Sequence, residues 1–247
     1  MIKKLVAALI IVVAITAGGC YGNVASAASQ SEGTLSSRQD VNVAHYRRVS
    51  IDVLIGTIAV VGALWVGLVV FLFSRKKSFV YLLLFTVFYF YLYKVIDYTL
   101  LQYQSLLVLK HFVPNLMLNG IEDGKSINLI PLVTLTTADA KTSLLNILML
   151  VPFGLLVPLV TNWRMKKVVI AGMLFSVGIE LLQLVTGLLG HMTFRVADIN
   201  DVLFNTLGVT IGYLLFIGFL HTVRGVFRGT TLSASPLVKY VIERPQA

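Results

Sequence analysis

The chain has 247 residues, 57% of them hydrophobic and 13% charged, and its mean hydropathy is +0.87. A soluble globular domain carries charge on about a quarter of its residues, so this composition excludes one and points to a chain that crosses a membrane several times. The single cysteine, Cys20, excludes an intramolecular disulfide or a cysteine-built metal centre, and the net charge of +9 is read as loop charge that sets topology, with no nucleic-acid partner expected.

Residues 1–27 begin with Lys3-Lys4, continue as an apolar run from Leu5 to Ala17 and end in small residues, with Ala25-Ser26-Ala27 placed like a cleavage site. They read as a signal peptide or an N-terminal membrane helix. Cys20 suggests a lipid attachment site, although Ala17 stands where a large aliphatic residue is usual three positions earlier. Residues 28–50 are polar and read as a short flexible extracytoplasmic segment.

A multi-pass domain is expected over 51–221. Five apolar stretches, 51–73, 79–101, 142–160, 168–186 and 202–220, are each near the ~20 residues that cross a hydrocarbon core. Arg75-Lys76-Lys77 follows the first, Arg164, Lys166 and Lys167 the third, and Arg224, Arg228 and Lys239 the fifth. These alternate loops are expected in the cytoplasm, with the N-terminus of the mature chain outside and a basic cytoplasmic tail over 222–247 lying along anionic headgroups. The acids agree, since Glu243 alone of the 11 Asp and Glu residues falls on that side. Between the second and third stretches, Lys110 to Gly124 suits a helix lying on the membrane surface. Ile127 to Val133, short and broken by Pro131, suits a re-entrant or interfacial segment.

The rest of the chain is organised around Glu180 to Gly212. Glu180 and Gln183 stand inside a membrane-spanning stretch, where ionisable groups face other helices or wet cavities and mark function. Asp198, Asp201 and Asn205 recur at i, i+3, i+7, one face of a starting helix, and Arg195 is their charge partner. With the expected topology, Asn146 and all of these residues fall at one depth, toward the outer leaflet. Arg195 is suited to clamping a phosphate and Glu180 to acting as a base. Asn128, Asn146, Gln183 and Asn205 would line the pocket or hydrogen-bond between helices. The histidines are scattered, so neither metal nor cofactor is expected. Gly208 and Gly212 form a Gly-x-x-x-Gly pair read as helix packing, and Pro152 and Pro158 are read as kinking or ending the third span.

Four short motifs carry a family likeness. They are Asn128-Leu-Ile-Pro131; Asn146 with Val151-Pro152-Phe153-Gly154; Ile179-Glu180-Leu-Leu-Gln183; and Arg195, Asp198, Asp201, Asn205 and Gly208 at their spacing. In this order they resemble the VanZ-like family over about residues 80–220. The resemblance implies a small multi-pass protein of the bacterial plasma membrane, associated with resistance to teicoplanin and related lipoglycopeptides. It implies no reaction. The residues leave three readings open: binding of a lipid-linked cell-wall precursor or glycolipid at the outer leaflet, an enzyme (hydrolase or transferase) on such a lipid, and a non-catalytic structural or transport component. Besides such a ligand, the partners expected are membrane lipids.

Overall fold

A computed structural model of the chain describes residues 37–101, 127–128, 131, 137–190, 197–227 and 235–244. The signal or anchor expected over 1–27, Cys20, the surface segment from Lys110 to Gly124, and Arg195 lie outside the described residues. The helices are α1 (Ser37–Ser74), α2 (Phe79–Ile96), α3 (Thr137–Thr161), α4 (Met165–Gly190), α5 (Ile199–Phe227) and α6 (Pro236–Ile242). Two two-residue strands, β1 (Ile127–Asn128) and β2 (Ala197–Asp198), pair in parallel, Ile127 opposite Ala197 and Asn128 opposite Asp198. Five helical spans are long and apolar enough to cross a membrane: Ile55–Ser74, Phe79–Leu100, Ala140–Thr161, Met165–Val185 and Ile199–Phe227. The protein is a polytopic helical membrane protein.

The chain divides into two units, Met1–Leu68 with Leu101–Leu118, and Val69–Leu100 with Asn119–Ala247. In the first, the described part is essentially the helix from Ser37 to Leu68. It starts well before residue 51, so residues 37–50 are helical and the flexible segment expected over 28–50 is corrected there. Its apolar side chains at Ile55, Val60, Leu64, Val66 and Leu68 are exposed, as on a helix surface that faces lipid.

The second unit holds α2 to α6. Helix α1 ends with Lys76 in the left-handed conformation (φ 54°). The Lys76 amide donates to the Phe73 carbonyl (2.9 Å) and the Lys77 amide to the Leu72 carbonyl (3.2 Å). That double bond pattern satisfies carbonyls the helix leaves open and turns the chain sharply. Two residues later Ser78 caps α2, its hydroxyl accepting the Tyr81 amide at 3.2 Å. Helix α3 contains Pro152 and Pro158 and runs on to Thr161, so neither proline ends it. Asn162 (φ 61°) provides the next left-handed turn, into α4.

Helices α3 and α5 run side by side, and their closest approach is set by glycines. A Cβ built on Gly212 would overlap the Val151 carbonyl oxygen; one on Gly208, the Ile147 carbonyl oxygen; one on Gly154, the Val209 carbonyl oxygen. Small residues let helix backbones touch where apolar solvent gives no hydrophobic drive between helices. Around that contact sits the core, including Leu150, Val157, Val168, Val209, Phe216 and Leu220. Phe153 of α3 meets Phe88 of α2 edge-on at 5.9 Å and stacks with Phe175 of α4 at 5.6 Å, tying three helices into one layer. Tyr91 is half-buried, and its hydroxyl donates to the Met149 carbonyl at 2.8 Å.

The C-terminal end departs most from expectation. Helix α5 has 29 residues, about 43 Å at 1.5 Å per residue, so it is longer than a hydrocarbon core of about 30 Å. Helix α6 then folds back onto the unit. Val241 is buried in the core, the Tyr240 hydroxyl donates to the Leu159 carbonyl (2.8 Å), and Arg244 bonds the Asn162 side chain. Arg224 of α5 closes the dock by donating to the carbonyls of Ile242 (2.6 Å) and Arg244 (2.8 Å), so at 236–244 the expected headgroup-bound tail is a packed helix. Burial of the Tyr240 phenol pushes its pKa upward, so the hydroxyl stays a donor at any physiological pH. Replacing Arg224 by glutamine removes the cation holding those two carbonyls. Limited proteolysis in detergent should then cut near the C-terminus at least several-fold faster than in wild type, with the membrane spans intact.

Candidate functional site

Polar side chains of four helices converge at one end of the second unit. Asn146 lies on α3, Glu180 and Gln183 in the second half of α4, Asp201 and Asn205 in the first turns of α5, and Thr99 in the π-helical turn Asp97–Leu101 that ends the second span. All except Asp201 are buried; Glu180 is 7% and Asn205 1% exposed. Buried polar groups must find partners. Here they find one another.

The Asn146 amide donates to the Asp201 carboxylate at 2.5 Å, joining α3 to α5. The Asn205 amide donates to the Ser176 hydroxyl at 2.8 Å, joining α5 to α4. The Gln183 amide donates to the Thr99 carbonyl at 2.9 Å, joining α4 to the π turn, while the Thr99 hydroxyl donates back to the Val95 carbonyl at 2.7 Å. Glu180 accepts the Asp198 backbone amide at 3.2 Å, which holds the chain entering α5 against α4. Asp198 in turn accepts the Asn200 amide at 2.8 Å. It is therefore the N-cap of α5, where its carboxylate also meets the positive end of the helix dipole. The backbone of Asn128 pairs with Asp198 through the β1–β2 bridge, which satisfies part of a segment too short to span.

The geometry sorts the residues singled out in the sequence. It brings together Asn146, Glu180, Gln183, Asp198, Asp201 and Asn205, and sets the Asn128 backbone beside Asp198. Arg195 lies outside the described residues. The i, i+3, i+7 face is divided: Asp198 caps the helix, Asp201 turns to α3, and Asn205 turns to α4. Sequence reasoning missed Ser176, Thr99, Asn200 and the Lys94–Asp97 pair (2.7 Å), whose carboxylate is buried with its residue 8% exposed. One signal was available. Ser176, Glu180 and Gln183 recur at i, i+4, i+7, a single helix face.

The site is rich in carboxylates, with Asp97, Glu180, Asp198 and Asp201 near one end of the bundle. Such a set suits a ligand that offers hydroxyl, amide or amine donors. Among the described residues no three His, Cys, Asp or Glu side chains are grouped to hold a metal ion.

The VanZ/LLP1 family model matches residues 79–221, more than half of the chain. The chain belongs to the VanZ/LLP1 family. The match runs from α2 to residue 221 in the last third of α5, so it contains every residue of the polar layer, whereas α1 and α6 lie outside it. No curated protein and no solved structure matches the chain. Membership makes this a VanZ-like membrane protein of the cell envelope, and its apolar spans associate it with membrane lipids.

Proposed function

We propose that this VanZ/LLP1 protein holds the polar headgroup of a lipid-linked envelope component, an undecaprenyl-linked precursor or a surface glycolipid, and thereby contributes to resistance to teicoplanin and related lipoglycopeptides. The observation that carries this reading is the convergence of Asn146, Glu180, Gln183, Asp201 and Asn205 at one depth, each on a helix that is otherwise apolar there. Burying so many polar groups in hydrocarbon is costly and seldom kept without a use. Carboxylates and amides match the hydroxyls and amides of a glycan, and Arg195 would supply the cation for a phosphate. The same reading puts the layer in the outer leaflet, because the loops with Arg75, Lys76, Lys77, Arg164, Lys166 and Lys167 mark the other side as cytoplasmic.

The test is survival of a deletion strain on teicoplanin, complemented by wild type or by Glu180→Gln, with both proteins quantified in the membrane fraction. The expected result is normal abundance with protection lost. Protection equal to wild type would remove Glu180 from the site.

A structural reading has its own support. Asn146, Asn205 and Gln183 each spend a donor on another helix or on the π turn, as interhelical glue does. Under that reading Glu180→Gln lowers abundance, not activity.

A further inference from the structure

The polar layer has an inner edge whose bonding is incomplete. Glu180 of α4 meets the backbone of Asp198, whereas Ser176, four residues earlier, meets Asn205 of α5, so the two helices run antiparallel. Four residues are about one helical turn, or about 6 Å. Ser176 therefore lies one turn deeper than Glu180, and Asn205 one turn deeper than Asp201.

At this edge the Asn205 amide donates to the Ser176 hydroxyl at 2.8 Å, with Ser176 0% and Asn205 1% exposed. The Asn205 side-chain oxygen has no hydrogen-bond partner among the described residues. It belongs to the same planar amide whose nitrogen reaches across to α4, so it lies in the seam between α4 and α5. Ser176 spends its oxygen as an acceptor, which leaves its own proton to give. Turning the amide over does not close the account, because the oxygen would then accept the Ser176 proton and the amide nitrogen would be left over. A polar atom buried in hydrocarbon without a partner is costly.

The spare atoms select among ligands. An acceptor beside a hydroxyl proton is completed by a group that both donates and accepts, as an alcohol does. An ionised phosphate oxygen has no proton for the amide oxygen, and an ammonium has no lone pair for the Ser176 proton. We propose that Ser176 and Asn205 form a subsite for a headgroup hydroxyl, such as a glycolipid sugar carries, inserted between α4 and α5 beneath Glu180 and Asp201. This rests on the headgroup reading above and narrows it, since the deepest part of the ligand is neutral and hydroxylated. Both side chains are closed from solvent, so the hydroxyl enters by parting α4 and α5 at this edge.

The full chain, purified in detergent, is titrated with glucosyl-diacylglycerol, with the same lipid bearing methylated sugar hydroxyls, and with phosphatidic acid of the same acyl chains. Native mass spectrometry and thermal unfolding follow binding. Wild type should bind the glucosyl lipid saturably, and more tightly than either of the others. Ser176→Ala with Asn205→Leu should weaken that binding on the order of ten-fold, the worth of two hydrogen bonds between neutral groups. Ligand-free, the double variant should unfold no earlier than wild type, because removing both partners of a buried bond is nearly neutral. Should it fail to reach the membrane, Ser176→Ala alone, which adds no volume, should still weaken binding.

Glu180→Gln serves as the control for the headgroup reading. Glucosyl-lipid binding lost in Glu180→Gln but kept in the double variant overturns the subsite and leaves that reading standing, with an internal water as the partner of the pair. Earlier ligand-free unfolding with unchanged binding overturns it as well, and makes the pair interhelical glue. Phosphatidic acid bound as tightly as the glucosyl lipid overturns the choice of a neutral hydroxyl. No saturable binding of any of the three lipids overturns the headgroup reading and the subsite together.

Discussion

Gly212→Leu should be nearly absent from the membrane fraction, and what remains should melt well below wild type, whereas Gly218→Leu should match wild type on both counts. The two glycines lie on the same helix, six residues apart. A Cβ at Gly218 meets nothing within 4 Å, while one at Gly212 overlaps the Val151 carbonyl oxygen and comes within 3.1 Å of the Gly154 Cα. Forcing extra atoms into a packed core costs about 1–3 kcal/mol when side chains can shift. Here the obstacle is backbone, so α3 and α5 must part along their whole contact. Leu150, Val209, Tyr213 and Phe216 then lose partners together. Separation would also draw Asn146 away from Asp201 and leave both in hydrocarbon. Gly154→Ala and Gly212→Ala each disturb that one crossing, so the double variant should cost less than the two single changes added. Equal abundance and melting of Gly212→Leu and Gly218→Leu would show that this close approach is not what holds the bundle.

The glycine contact was legible from the Gly208-x-x-x-Gly212 spacing, and so were the five spans, because length and apolar character nearly determine a membrane helix. The gathering of Asn146, Glu180, Gln183, Asp201 and Asn205 at one depth also followed from alternating loop charge, since antiparallel helices place sequence-distant residues at one level. What could not be read depends on backbone groups, which composition does not advertise. Asp97 is buried beside Lys94 in the π turn that ends the second span, a placement no spacing signals. The fold-back of α6 rests on Arg224 finding two carbonyls and on Tyr240 finding another, while its basic side chains resemble those of any membrane-surface tail. The start of α1 at Ser37 was missed because residues 37–50 lack the apolar run that marks a span. Asp198 was assigned to a helix face, but its pairing with the Asn200 amide makes it the cap. Spacing alone does not separate an N-cap from a first helical turn.

If the protein holds a headgroup as proposed, exchanging the partners of the α3–α5 hydrogen bond, Asn146→Asp together with Asp201→Asn, should preserve abundance and abolish protection against teicoplanin. The wild-type bond runs from the Asn146 amide to the Asp201 carboxylate at 2.5 Å. In the exchanged pair an amide still faces a carboxylate across the same gap, now from α5 to α3, so the interhelical bond and the total charge are kept. Such bonds contribute about 0.6 kcal/mol on average within membranes and at most about 1.7, and the exchange retains that contribution. What moves is the charge. At position 201 it lies in the first turn of α5, three residues after the Asp198 cap, where the positive end of the helix dipole favours it. At position 146 it is carried by the middle of α3, on the other side of the same bond, and is no longer part of the first turn of α5. A ligand held by carboxylates at the mouth of α5 would lose one of them, while a bundle held by the bond would not notice. The single change Asp201→Leu makes the contrast, because it leaves the buried Asn146 amide without its partner and should lower abundance as well as protection. Protection by the exchanged pair at wild-type level would assign Asn146 and Asp201 to helix assembly and confine the headgroup site to Glu180 and its neighbours. Loss of protection at unchanged abundance would make the carboxylate at position 201 part of the site itself.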